Sequence, residues 1–109
     1  MAQPTAQDLI TRQLNGDQVA SLLRRGEDFF RARDLVSARL VFRRAAEAGD
    51  ARAAFALAST FDSGVLEKFG FGGFWADVGK ARMWYERAAQ FGSAEAPQRL
   101  QQLATKINP

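Results

Sequence analysis

The sequence predicts an all-α protein: a short α-solenoid of two helix–turn–helix units closed by a C-terminal capping helix. Three observations predict it. A stretch of twenty residues recurs without gaps 43 positions further on. Apolar side chains return every three or four residues through most of the chain, the period of one helical face. Short acidic residues and glycines bracket these stretches, as helix caps and helix stops do.

The recurrence sets residues 34–53, DLVSARLVFRRAAEAGDARA, over residues 77–96, DVGKARMWYERAAQFGSAEA. Nine pairs are identical, among them Asp34/Asp77, Ala38/Ala81, Ala45/Ala88, Gly49/Gly92 and Ala53/Ala96. Leu40/Met83, Val41/Trp84 and Phe42/Tyr85 keep an apolar or aromatic character. In each copy Asp34 or Asp77 suits an N-cap, because a short carboxylate accepts first-turn N–H groups. Gly49 and Gly92 supply the left-handed residue that ends a helix. Asp50 and Ser93 follow as caps for the next helix, and so short a connection forces an antiparallel turn.

The remaining segments supply partner helices. Val19, Leu22, Leu23, Gly26, Phe29 and Phe30 form one stripe; Ala54, Phe55, Leu57, Ala58 and Phe61 form another. Leu100, Leu103, Ala104 and Ile107 make a last amphipathic helix whose polar opposite face suits the end of a stack. Pro97 is tolerated only in its first turn. Five helices are expected, near 17–33, 35–48, 51–62, 77–91 and 95–106. Repeat one spans 17–49, repeat two 50–92 and the capping segment 93–107. Residues 1–16 are expected to be a flexible N-terminal segment, with Leu9, Ile10 and Leu14 able to form a weak turn.

Composition narrows the chemistry. The 109 residues suffice for one modest core, and 47% apolar with 25% charged residues is ordinary for a globular chain. Cysteine and histidine are both absent, which excludes disulfides, thiol catalysis, imidazole metal ligation and a histidine base. The remaining carboxylates are scattered over helix surfaces, so no enzyme, cofactor or metal site is expected. The net charge is only +3. No run approaches the roughly 18 apolar residues of a membrane span, so no direct membrane insertion is expected. The start lacks a basic region followed by an apolar run. The expectation is therefore a cytoplasmic protein if the chain is complete, or otherwise a soluble domain of something longer, which the family resemblance given below implies would be a larger membrane-anchored or exported bacterial protein.

The spacing of Leu22, Gly26, Phe29, Ala38, Phe42 and Ala45 resembles the signature positions of the tetratricopeptide (TPR) superfamily. The second unit is more similar to its SEL-one-like branch. Ala53, Leu57, Ala58, Phe61 and Gly64 stand for the A-x3-L-G-x2-Y-x2-G half, with Ala where Gly is usual. Asp77, Lys80, Ala81, Trp84, Tyr85, Ala88, Ala89 and Gly92 match the D-x2-K-A-x2-W-Y-x2-A-A-x2-G half closely. The interval from Gly64 to Asp77 is longer than that pattern usually has, so VLEKFGFGGFWA is expected to be an extended loop.

The resemblance implies a non-catalytic, often bacterial, adaptor or scaffold that grips a protein or peptide in a groove lined by the first helix of each repeat. The positions that face that groove correspond here to Glu27, Phe30, Arg31, Arg52, Phe55, Ser59 and Asp62, with Gln98 and Gln102 on the last helix. A mixed-charge groove of this kind would take a peptide or helix with polar and apolar contacts; the same residues also suit a merely solvated surface. Phe71, Phe74 and Trp75, among three glycines, suit either an aromatic binding tip or a loop folded back onto the core. Trp84 and Tyr85 occupy packing positions and are expected in the core. The competing structural reading is self-association, as a monomer in equilibrium with a weak homodimer or as part of a larger protein. Arg24, Arg25, Arg31, Arg33, Arg39, Arg43 and Arg44 would suit nucleic acid, but Glu27, Asp28 and Asp34 break up that face, which ranks this reading last.

Overall fold

In the computed structural model, residues 14–107 are described, and they are helical without a strand. Residues 1–13 of the expected flexible segment, with Leu9 and Ile10 of its weak turn, lie outside the described residues, while Asn15 and Gly16 at its end already cap and begin the first helix. Leu14 is half-buried against the core.

Helix α1 covers Gly16–Arg31 and opens on a reciprocal cap. Asn15 accepts from the Gln18 N–H at 2.9 Å while the Asn15 N–H donates to the Gln18 side chain at 2.9 Å. Helix α2, Leu35–Glu47, begins at Asp34, which accepts from the Ser37 N–H at 3.0 Å. Hydrogen bonding from Ser37 holds the Asp34 carboxyl below its ordinary value. Between these helices Arg33 stands at φ 67°, a strained left-handed backbone for a residue with a Cβ. Its guanidinium donates to the Phe69 and Gly70 carbonyls at 3.0 and 2.9 Å, and lies 4.6 Å from the Phe71 ring centre.

Helix α3 is shorter than expected, Ala51–Ser59 instead of 51–62. The cause is a second start signal at the last residue of the expected helix. Asp62 accepts from the Gly64 N–H at 2.9 Å and caps a six-residue helix, α4, Ser63–Lys68. Gly70, at φ +77°, follows its end. A short 3₁₀ turn, Gly73–Trp75, leads into α5, Val78–Gln90, capped by Asp77 through the Lys80 N–H at 3.0 Å. Helix α6, Ala96–Ile107, carries Pro97 in its first turn, with the Ser93 hydroxyl accepting from the Ala96 N–H at 3.3 Å. Among the described residues there are thus six α-helices, not five.

The repeated segments fold alike locally. Asp34 and Asp77 both cap, Ala38 and Ala81 are both sealed, as are Ala45 and Ala88, and Gly49 and Gly92 stand at φ +93° and +107°. The Asp50 and Ser93 N–H groups close the two helix ends on the Ala45 and Ala88 carbonyls. Helices pack in chain order, α1 on α2, α2 on α3, α3 on α5 and α5 on α6, while α4 packs with the 3₁₀ turn. The core they enclose is a line of alanines (38, 45, 46, 53, 54, 58, 81, 88 and 96) joined by Leu57, Phe42, Trp84, Tyr85 and Leu103. Such small residues let helix axes approach closely, and the few large rings fill what remains. Ala104, expected on the apolar face of α6, is exposed. Among the described residues no helix is long and apolar enough to cross a membrane.

Candidate binding groove

A groove of about 700 Å3 runs between α1, α3 and α4, with Arg99 of α6 at its border. It brings together five residues singled out from the sequence: Glu27, Phe30, Arg31, Phe55 and Ser59. Glu27, Phe30 and Arg31 share a face because they sit three and four residues apart on α1. Phe55 and Ser59 are one turn apart on α3. The floor is apolar. Phe55 meets the Tyr85 ring edge-on at 5.3 Å between centres, and Phe30 meets Phe69 and Phe71 at 5.2 and 5.1 Å. These ring pairs hold the floor rigid from below and from the side.

Charge sits at the border. Arg31 is shared between Glu27 and Asp28, both at 3.8 Å, and all three are well exposed. Such pairs orient side chains and contribute little to stability. Arg99 lies 4.0 Å from Asp62 and 5.8 Å from the centre of the Phe55 ring. Lys68 of α4 lines the same side as Val65 and Phe69.

Beneath the α3 end lies the groove's polar anchor. The Tyr85 hydroxyl donates to Asp62 at 2.8 Å, and the Ser59 hydroxyl, which donates to the Phe55 carbonyl at 3.0 Å, stands 3.3 Å from that phenol. Burial pushes the Tyr85 phenol well above its ordinary value near 10, and its bond to the Asp62 acceptor adds to the rise.

The other expected residues are dispersed. Asp62 is only 5% exposed and is occupied by its cap and by Tyr85, so it braces the groove from behind. With Gln102 and Arg99 it borders a smaller recess of about 330 Å3. Arg52 points to Asp50 at 3.5 Å, outside the groove, and Gln98 is exposed on α6 without lining it. The aromatic segment divides: Phe71 folds back onto Phe30, Trp75 is half-buried near Arg39, and Phe74 is 90% exposed. Trp84 and Tyr85 are core, as expected.

Sequence reasoning missed the wall made by Val65, Lys68 and Phe69, because it placed those residues in a loop. The signal was present, since Asp62 and Gly70 punctuate α4 as Asp and Gly punctuate the repeated helices. It also missed Arg99 on the last helix, where only Gln98 and Gln102 were assigned to the groove.

Scanned against protein-family models, the chain matches none. Comparisons with curated proteins and with solved structures likewise find no match.

Proposed function

We propose that this chain is a non-catalytic protein–protein interaction module whose groove between α1, α3 and α4 takes a peptide or helix of a partner protein. The observation that carries this reading is the convergence of Glu27, Phe30, Arg31, Phe55 and Ser59 on one apolar groove. They are five of the positions that the repeat resemblance assigns to a groove, and here they line one concavity. An apolar floor with a charged border suits a ligand that inserts one aromatic or aliphatic side chain and meets water with its flanks. Burying such an anchor contributes about 1.5–3 kcal/mol. The exposed charges at the border would orient the ligand more than hold it.

We further propose that the two copies are repeats of a short α-solenoid resembling the SEL-one-like and tetratricopeptide families. The shared caps, glycine stops and sealed alanines of residues 34–53 and 77–96 support this. A second contact is supported by Phe74, nearly fully exposed and set edge-on to Trp75 at 5.7 Å. Exposed rings of this kind are frequent interface anchors.

Panning an unbiased peptide-display library on the folded chain tests the reading. Enriched peptides are expected to share an apolar anchor with charged flanks. Their affinity should fall at least about tenfold in Phe55→Ser and in Phe69→Ser. Phe69 is half-exposed, so its variant reports on binding with little cost to folding. Peptides that bind both variants as well as the parent chain would overturn it.

A further inference from the structure

We propose a second docking surface on the opposite pair of helices, α2 and α5, that takes an acidic amphipathic helix of a partner protein. Both helices pack on α3 and leave between them a trough of about 550 Å3. Its floor is Leu57 of α3, Phe61 just past the end of that helix, and Trp84 of α5. Its walls carry apolar side chains that the core does not use: Val36 and Leu40 on α2, 56% and 66% exposed, and Met83 on α5, 38% exposed. Val36 and Leu40 are one turn apart, the spacing at which a docked helix presents its own anchors.

The charge of the lining is one-sided. Arg39, Arg43, Lys80 and Arg87 line the trough and no carboxylate does. Arg43 pairs with Glu47 at 2.8 Å; Arg39, Lys80 and Arg87 form no ion pair among the described residues. Arg39 is pinned at the bottom, donating to the Thr60 and Trp75 carbonyls at 2.6 Å each. Its guanidinium stands 3.9 Å over Phe61, Lys80 reaches the same ring at 5.5 Å, and Arg87 covers Trp84 at 4.6 Å. The cations are therefore laid along aromatic faces, which steadies them beside the apolar floor.

Charge complementarity selects the occupant. A second copy meeting this face with its own, in a two-fold contact, would set cations against cations, which costs affinity. Nucleic acid is held through phosphates and has no use for Val36, Leu40 and Met83. A bilayer is met by apolar side chains on a projecting face, whereas these line a recess. An acidic helix satisfies both features, its apolar stripe in the trough and its carboxylates against Lys80 and Arg87.

The test is a fluorescence-anisotropy titration of the full chain with a pool of helical peptides. Each carries Leu or Met at one-turn spacing and Glu on both flanks; a matched pool has Lys in place of Glu. The Glu pool should bind, more weakly as salt rises, and the Lys pool should not. Leu40→Glu and Arg87→Glu should each weaken binding at least about tenfold. Arg87→Gln should show a smaller loss, and Phe69→Ser in the other groove none. Equal binding of the two pools, or binding of neither, would overturn the proposal. So would binding of phosphatidylserine vesicles or single-stranded oligonucleotides when the Glu pool fails, or a dimer that Leu40→Glu abolishes.

Discussion

Tyr85 and Phe42 occupy equivalent places in the two repeated segments, yet they stabilise their surroundings by different means. Phe42 lies against Gly26, where an added Cβ would fall inside the van der Waals envelope of the ring. Gly26→Ala should therefore destabilise by about 1–3 kcal/mol from overpacking, although alanine favours a helix interior by about 0.5–1 kcal/mol. Chemical denaturation checks this, and a gain in stability would contradict it. Tyr85 instead reaches the buried Asp62 through its hydroxyl. Removing that donor in Tyr85→Phe leaves a buried carboxylate short of one partner, at about 1–3 kcal/mol. The phenol also fixes an alkaline limit. Its ionisation is raised in the folded chain above the ordinary value near 10, so this contribution is complete below that pH and is lost as pH rises beyond it. Because Tyr85 is the sole tyrosine in the sequence, phenolate absorbance reports it alone. Absorbance and helical circular dichroism should change together; a phenolate formed at its ordinary pH with helices intact would contradict the burial argument.

Among the elements, α4 and the 3₁₀ turn depend most on remote side chains. Two arginines hold this segment to the helical layers. Arg33 clamps the end of α4 through the Phe69 and Gly70 carbonyls, and Arg39 joins the Thr60 and Trp75 carbonyls. In place of Arg39 a lysine would lose the Nε bond to the Thr60 hydroxyl at 3.3 Å and the planar stacking over Phe61. Arg39→Lys should thus cost about 1–3 kcal/mol and raise amide exchange across 70–77 more than in α2. Uniform exchange through both would show that the segment is held some other way. The same segment explains where sequence reasoning failed. Caps at Asp34, Asp50 and Asp77 and stops at Gly49 and Gly92 were legible because the apolar period began and ended with them. Asp62 was absorbed into the apolar run of α3, and the glycines from 70 to 73 masked the turn of helix before them. Arg33 and Arg39 could not be assigned, since a clamp spanning some 36 residues leaves no periodic trace. Arg82, the counterpart of Arg39 in the second copy, is exposed, so the repeat itself gave no hint.

For the whole molecule, order along the chain is order in space, with each long helix resting on the next. The all-helical architecture was legible because that order needs only local signals: period, cap and stop. The groove was legible in part. Phe30 and Phe55 lie on different helices and line one groove because α1 approaches α2 at Gly26, against Phe42, and sealed alanines draw α2 onto α3. Arg52 and Gln98 follow the same pattern in sequence but sit past the edge of the concavity, where no neighbouring element closes over them. The two faces now offer different chemistry: mixed charge around Phe30 and Phe55, and a cationic lining without a carboxylate around Phe61 and Trp84. A ligand selected without bias must choose between them. Amide chemical-shift mapping of the isotopically labelled chain, titrated with the best peptide from the unbiased library, records that choice. Changes centred on Phe30, Phe55, Ser59, Val65 and Arg99, and lost in Phe69→Ser, are expected. Changes centred on Leu40 and Met83 instead, or spread evenly over the surface, would contradict a binding groove between α1, α3 and α4.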